Sequence, residues 1–210
     1  MAMKNKQAEL IKQLTDKQLL YNLFLTQIIL LTLATFLGII LFKDRSAFFD
    51  LFIFDDLNIL LIGVPAGVIV VLIDILLMKV TPSSYQDDGG INERIFSNLS
   101  YPMIFVVALV VAISEEVLFR GVLQTHFGLL LTSLIFAAVH YRYLFNWFLF
   151  LNVLVLSFFI GFLFEMTNNI IVTITAHFLI DFILGILIRN KKQRGFSKKG
   201  GDLNEPGTKE

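Results

Sequence analysis

The sequence predicts an all-α fold: a polytopic transmembrane helical bundle of about six spans with a polar catalytic cavity in its interior. Composition is the first reason. Of 210 residues, 56% are hydrophobic, 22 are Phe, and mean hydropathy is +0.77, more apolar surface than a soluble domain of this length can bury. Segmentation is the second, because the apolar residues gather into uncharged runs long enough to cross a bilayer core of about 30 Å. The third is the stretch Ser114-Glu115-Glu116-Val117-Leu118-Phe119-Arg120, which sets two carboxylates and a guanidinium inside such a run. A bare ionised side chain near the bilayer centre costs about 2.5–3.5 kcal/mol on insertion scales. Polar chemistry within the membrane is what that placement implies.

The spans follow in order. Gln18–Phe42 is uncharged, too long for a signal-peptide core and without a convincing cleavage site, so it reads as a retained helix. Leu57–Met78 is the second span, interrupted only by Asp74, which sits near its end and apart from the other embedded charges. The polar stretch Thr81–Asn98, with Pro82 and Gly89-Gly90, reads as a loop leading into a short interfacial amphipathic turn at Ile91–Phe96. Tyr101–Gln124 is the third span, with Ser100 as N-cap and Pro102 in the first turn. Gly128–Tyr141 begins the fourth, Tyr143–Phe164 holds the fifth and Asn169–Ile188 is the sixth. The domain organisation is therefore an N-terminal segment 1–17, one transmembrane domain 18–188 with its catalytic core in 101–188, and a basic tail 189–210 expected to be disordered.

Lys and Arg positions give an orientation. With both termini cytoplasmic, 14 of the 17 basic residues fall on inside segments and Lys43, Arg45 and Arg120 outside. The expected location is the cytoplasmic membrane, multi-pass. The absence of cysteine excludes disulfide frameworks and thiolate metal sites. Net charge is zero, and nucleic acid is not among the expected partners; a peptide or membrane-protein substrate and the lipid bilayer are.

The embedded ionisable groups are Asp74, Glu115, Glu116, Arg120, His140, His177 and Asp181. At 1.5 Å per residue, Glu115 lies roughly 21 Å from the start of its span, His140 roughly 18 Å along the opposite direction, and His177 roughly 12 Å with Asp181 one turn deeper. These depths let them face a common cavity. Glu116 and Arg120 stand at i, i+4 with the acid first, the favourable order for an ion pair, whereas Glu115 points about 100° away. The pair neutralises itself and leaves Glu115 free. His177 and Asp181 share another helix face, and Phe136 walls His140 from one turn before. His126, in the turn before the fourth span, reads as interfacial. A carboxylate in a low-dielectric pocket suits a general base, and imidazoles can hold a metal, hold a water or donate to an oxyanion. Neither Gly-x-Ser-x-Gly nor His-Glu-x-x-His is present, so the serine-hydrolase elbow and the zincin helix are absent.

Glu115-Glu116-x-x-x-Arg120, Phe136-x-x-x-His140 and His177-x-x-x-Asp181, in this order on apolar spans, resemble the CPBP family, the CAAX-protease and bacteriocin-processing membrane proteases also called Abi proteins. The resemblance covers Tyr101 to Ile188. It implies an intramembrane glutamate-type or metal-assisted peptidase, with Glu115 activating water and His140 helping to hold it. Glu116 and Arg120 would be structural or substrate-orienting, and His177 with residue 181 would stabilise the oxyanion. Eukaryotic prenyl-protein proteases resembling this pattern carry Asn where this chain has Asp181. An ionised Asp cannot donate, so orienting His177, accepting a positive substrate group and being protonated stay open for it. Zinc held by His140, His177 and Glu115 is one implied alternative, and a water held by side chains alone is the other. Two further readings stand beside proteolysis: a membrane regulator or immunity protein on the same scaffold, and an ion or metal transporter.

Overall fold

The computed structural model describes residues 13–82, 85, 88–140, 143 and 146–201, with 194–201 described by backbone alone. The basic positions Lys4, Lys6, Lys12, Arg142 and Lys209, and the tail 202–210, lie outside these residues. The order of elements is α1 (Asp16–Leu41), α2 (Arg45–Phe49), a π-helical turn (Ile59–Gly63) running into α3 (Val64–Val80), α4 (Ile91–Phe96), α5 (Tyr101–Glu116), a second π-helical segment (Val117–Gln124), α6 (Thr125–Val139), α7 (Trp147–Thr167) and α8 (Ile170–Gly201). Among the described residues, five stretches are long and apolar enough to cross a membrane when Tyr101–Val139 is counted as one. The protein is an all-α, multi-pass membrane bundle.

The helix starts are those the sequence chemistry favours. Thr15 caps α1 in a reciprocal box: Gln18 N–H donates to the Thr15 hydroxyl at 3.3 Å, and Thr15 N–H donates to Gln18 Oε1 at 2.8 Å. Ser100 caps α5 by accepting from Met103 N–H at 3.4 Å, with Pro in the first turn as expected. The predicted amphipathic turn forms as α4, whose Ile91 and Ile95 bury against Leu19 of α1.

The turn expected between the third and fourth spans forms at Gly128, which adopts φ 78°, ψ 170°, so the two spans are the limbs of one hairpin. The second limb, Leu129–Val139, is only about 16 Å long. It packs back on the first, with the Phe119 and Phe136 rings 4.8 Å apart. The fifth span begins at Trp147 rather than Tyr143, because Asn146 caps it by accepting from the N–H groups of Phe148 and Leu149. The last helix does not end at Ile188: α8 continues through Gly201, beyond the boundary expected at Arg189. Anchors explain its first extra turn. Asn190 accepts from the Tyr101 hydroxyl at 2.8 Å, Arg189 lies over the Tyr101 ring at 4.7 Å, and Lys192 donates to Ser97 Oγ and Asn98 Oδ1.

α8 is the central element, packed against α3, α4, α5 and α7. Its contact with α3 is a close backbone approach. A Cβ on Gly63 would fall 2.8 Å from the Val172 carbonyl oxygen, and one on Gly67 would fall 2.8 Å from that of Ala176. At one end of the bundle, Asp16 pairs with Arg94 at 3.1 Å and accepts from Asn98, while Lys192 reaches the same turn. The start of α1, α4 and the membrane exit of α8 therefore share one end.

Candidate active site

Between α1, α3, α4, α5, α6, α7 and α8 opens a cavity of about 2240 Å³, lined among others by Glu115, His140, His177 and Asp181. These residues lie on three separate stretches of the sequence, and the fold brings them to one space. Asp74, expected to stand apart near the end of its span, also lines the cavity, beside Ile73 and Val70 of the same helix.

Behind the cavity wall lies a fully buried charged cluster. Arg120 Nε stands 3.3 Å from Glu116 Oε2, and neither side chain has any exposure. The i, i+4 pair expected from spacing is present. Glu116 does more than neutralise Arg120, however: its Oε1 accepts from His177 Nδ1 at 2.8 Å. This link crosses from α5 to α8, and the helical wheel of α5 alone gives no sign of it. The guanidinium is further held by Ser157, through Nη2 to the carbonyl at 3.3 Å and to the hydroxyl at 3.5 Å, and it lies 5.2 Å from the centroid of the Phe136 ring. One turn on, Gln124 donates to the Gly161 carbonyl at 2.8 Å. Arg120 and Gln124 thus clamp the matching i, i+4 pair Ser157 and Gly161 of α7. That clamp was not read from the sequence, although an uncharged polar residue four positions after a buried arginine is its visible signal.

Glu115 behaves differently. Its side chain keeps 12% exposure toward the cavity, and its nearest cationic partner is His177 Nε2 at 4.0 Å, beyond hydrogen-bonding range. The other neighbour of His177 Nε2 is Asp181 Oδ2 at 3.7 Å, whose side chain is 30% exposed. His177 is therefore bound on its Nδ1 side by Glu116 and presents Nε2 to two carboxylates at the cavity edge. His140 is the C-cap of α6, half-buried, with Nδ1 donating to the Phe136 carbonyl at 2.8 Å. That bond requires the hydrogen on Nδ1, so in the neutral ring the lone pair is on Nε2. The Phe136 ring lies 4.6 Å from the His140 ring, the apolar wall expected from the spacing. His126 stays at the bundle surface, its ring against Phe42 at 4.4 Å.

Among the described residues no three His, Asp or Glu side chains stand close enough to share a metal ion. His140, His177 and Glu115 as placed do not fit a bound zinc. What the arrangement supports is a carboxylate open to water beside imidazoles that are held in position by bonds on their far sides.

Residues 97–183 match the family model described as Type II CAAX prenyl endopeptidase Rce1-like, a stretch that contains Glu115, Glu116, Arg120, His140, His177 and Asp181. The chain is also similar to the "Uncharacterized protein YpbD" of Bacillus subtilis (strain 168), 46% identical over 165 residues that cover 79% of this chain and 87% of that one. No solved structure matches it.

Proposed function

We propose, from the premise that this chain belongs to the Rce1-like type II CAAX prenyl endopeptidase family, that it is an intramembrane endopeptidase in which Glu115 activates the attacking water. One observation carries the assignment: Glu115 faces the cavity without a hydrogen-bond partner among the described residues, while the adjacent Glu116 is sealed behind the wall by Arg120 and His177.

In this reading a water between Glu115 and His140 donates one hydrogen to the carboxylate and the other to His140 Nε2. Glu115 takes its proton as the water oxygen bonds to the scissile carbonyl carbon. His177, as imidazolium, donates from Nε2 to the developing oxyanion. Collapse breaks the C–N bond, and Glu115 returns the proton to the leaving nitrogen. Asp181, an acceptor 3.7 Å from His177 Nε2, steadies the imidazolium rather than donating to the oxyanion. The substrate is a peptide or membrane protein reached from the bilayer. The distribution of basic residues supports a chain held in the cytoplasmic membrane with both ends in the cytoplasm.

The test is reconstitution in proteoliposomes with a panel of quenched fluorogenic peptides that includes a prenylated C-terminal peptide. Glu115→Gln lowers the cleavage rate by about 10²–10⁴-fold, the span of a lost general base, and chelators leave the wild-type rate unchanged. Undiminished cleavage by Glu115→Gln sinks the proposed base. Ion flux through the same vesicles in place of cleavage would point to transport.

A further inference from the structure

α1 and α7 carry carboxamide side chains that the catalytic reading does not use. Gln27 is 5% exposed and lies on a helix whose apolar window is only 11% buried, so its burial is a local choice of this helix. One atom of its carboxamide contacts the Ser114 hydroxyl at 2.6 Å, immediately before Glu115. Gln27 Oε1 accepts from that hydroxyl, which leaves the Nε2 donor for another partner, and Gln27 lines the cavity. Asn22 on α1 and Asn152 on α7 line the same cavity, and neither side chain has a hydrogen-bond partner among the described residues. All three lie within membrane-spanning helices.

Depth orders them. From the Asp16 end, Asn22 lies about 9 Å and Gln27 about 16 Å into the bundle, and Asn152 lies about 8 Å along α7 from Trp147. The rise from Asn22 to Gln27, about 7 Å, matches about two residues of extended chain at 3.3 Å each. In a bilayer a helical segment satisfies its own backbone and needs no such partners. An unwound segment must find every donor and acceptor elsewhere.

We propose that Asn22, Asn152 and Gln27 form a main-chain-binding track, on which the peptide groups of an unwound, extended substrate segment are hydrogen-bonded on the way to Glu115. The track rests on the endopeptidase reading for its direction and meaning. Its ligand class is the peptide backbone, independent of side-chain sequence, and Gln27 bonds the peptide group nearest the scissile bond.

Binding and cleavage are measured separately. Fluorescence anisotropy uses Glu115→Gln protein, with and without Gln27→Met or Asn152→Leu, against a labelled extended peptide and a hydrocarbon-stapled helical version. Gln27→Met, matched in size, weakens binding of the extended peptide about tenfold, the loss of one hydrogen bond in a desolvated site. The stapled helix binds poorly to every protein. Replacing the peptide group beside the scissile bond by an alkene isostere, which lacks the carbonyl acceptor, costs a similar factor in the Glu115→Gln protein and nothing further with Gln27→Met added, a coupling that a merely structural glutamine would not produce. An effect under twofold on the extended peptide, or tight binding of the stapled helix, overturns the track. If the binding pattern holds and no peptide is cleaved, the track stands and the endopeptidase reading falls. If cleavage proceeds with unaltered kcat/KM in both variants, the reverse is true, and if nothing binds or is cleaved both fall.

Discussion

Replacing Glu116 and replacing Glu115 should have opposite signatures, although the two acids are adjacent. Glu116 and Arg120 are fully buried, and the Glu116 carboxylate is also the acceptor for His177. In Glu116→Gln the amide oxygen can still accept from His177 Nδ1, but its NH₂ then faces the guanidinium. Arg120 is left with a 3.3 Å bond to the Ser157 carbonyl and the face of Phe136 as its neighbours. Removing one partner of a buried pair costs about 3–5 kcal/mol because the other charge stays behind. Arg120→Met leaves Glu116 with His177 as a partner, so it costs less. The double variant Glu116→Gln/Arg120→Met falls short of the sum of the singles by about 1–3 kcal/mol, the coupling of groups in one network. Glu115→Gln, whose carboxylate borders the cavity, shifts stability by less than about 1 kcal/mol while removing cleavage. The assay is reversible unfolding of the purified protein in mixed micelles by denaturant titration, read by Trp147 fluorescence and circular dichroism, with cleavage measured on the same samples. Additive singles, or Glu115→Gln as damaging to stability as Glu116→Gln, would refute the division of labour between the two acids.

Further outcomes follow from packing and charge. Gly67→Ala puts a methyl 2.8 Å from the Ala176 carbonyl oxygen and 2.9 Å from Leu179 Cβ. It should cost about 1–3 kcal/mol in micelle unfolding, and it should also lower kcat, since α8 carries His177 one residue from the clash. Gly128→Ala meets no atom within 4 Å, so its cost is backbone strain alone at φ +78°, about 1–3 kcal/mol in the same assay; an unchanged midpoint would contradict the reversal at this position. Asp56 accepts from Asn58 N–H at 2.9 Å and Asn169 Nδ2 at 3.1 Å, and the Asn58 bond above all holds its pKa below the ordinary 3.8. Because the folded value is depressed, its contribution is complete above the ordinary value and is lost as pH falls through the folded one. Amide exchange of Asn58 should therefore stay protected from pH 7 to pH 5 and lose protection only under strong acid, and loss starting above pH 5 would refute the bond.

The features legible in the sequence are those with a period or a depth. Hydropathy located the apolar spans, the i, i+4 spacing located Glu116 with Arg120, and rise per residue put Glu115, His140, His177 and Asp181 within reach of one cavity. Features set by a single dihedral or by contact between distant helices were not legible. The break before Gly128 is legible, because Gln124, Thr125 and His126 interrupt the apolar run there, but nothing in hydropathy reports the positive φ that makes the turn. The π-helical segment after Glu116 alters the facing of the side chains that follow, which a uniform 100° wheel cannot register. The Glu116–His177 bond depends on how closely α8 approaches α5, and the glycine contact of α3 with α8 reveals that closeness only in three dimensions. Gln27 looks like an ordinary polar interruption of α1 until Ser114 is seen beside it.

The short limb after Gly128 has a consequence for backbone polarity. His126, just before the reversal, packs on Phe42 where α1 ends, and the limb stops at His140 about 16 Å further on. That is roughly half of a bilayer core of about 30 Å, a depth at which hydrocarbon cannot serve the carbonyls of a helix end. Protein groups serve them instead: the Phe136 carbonyl accepts from His140 Nδ1, and the His140 carbonyl accepts from Tyr143 N–H. The imidazole that lines the cavity is therefore also the group that closes its own helix.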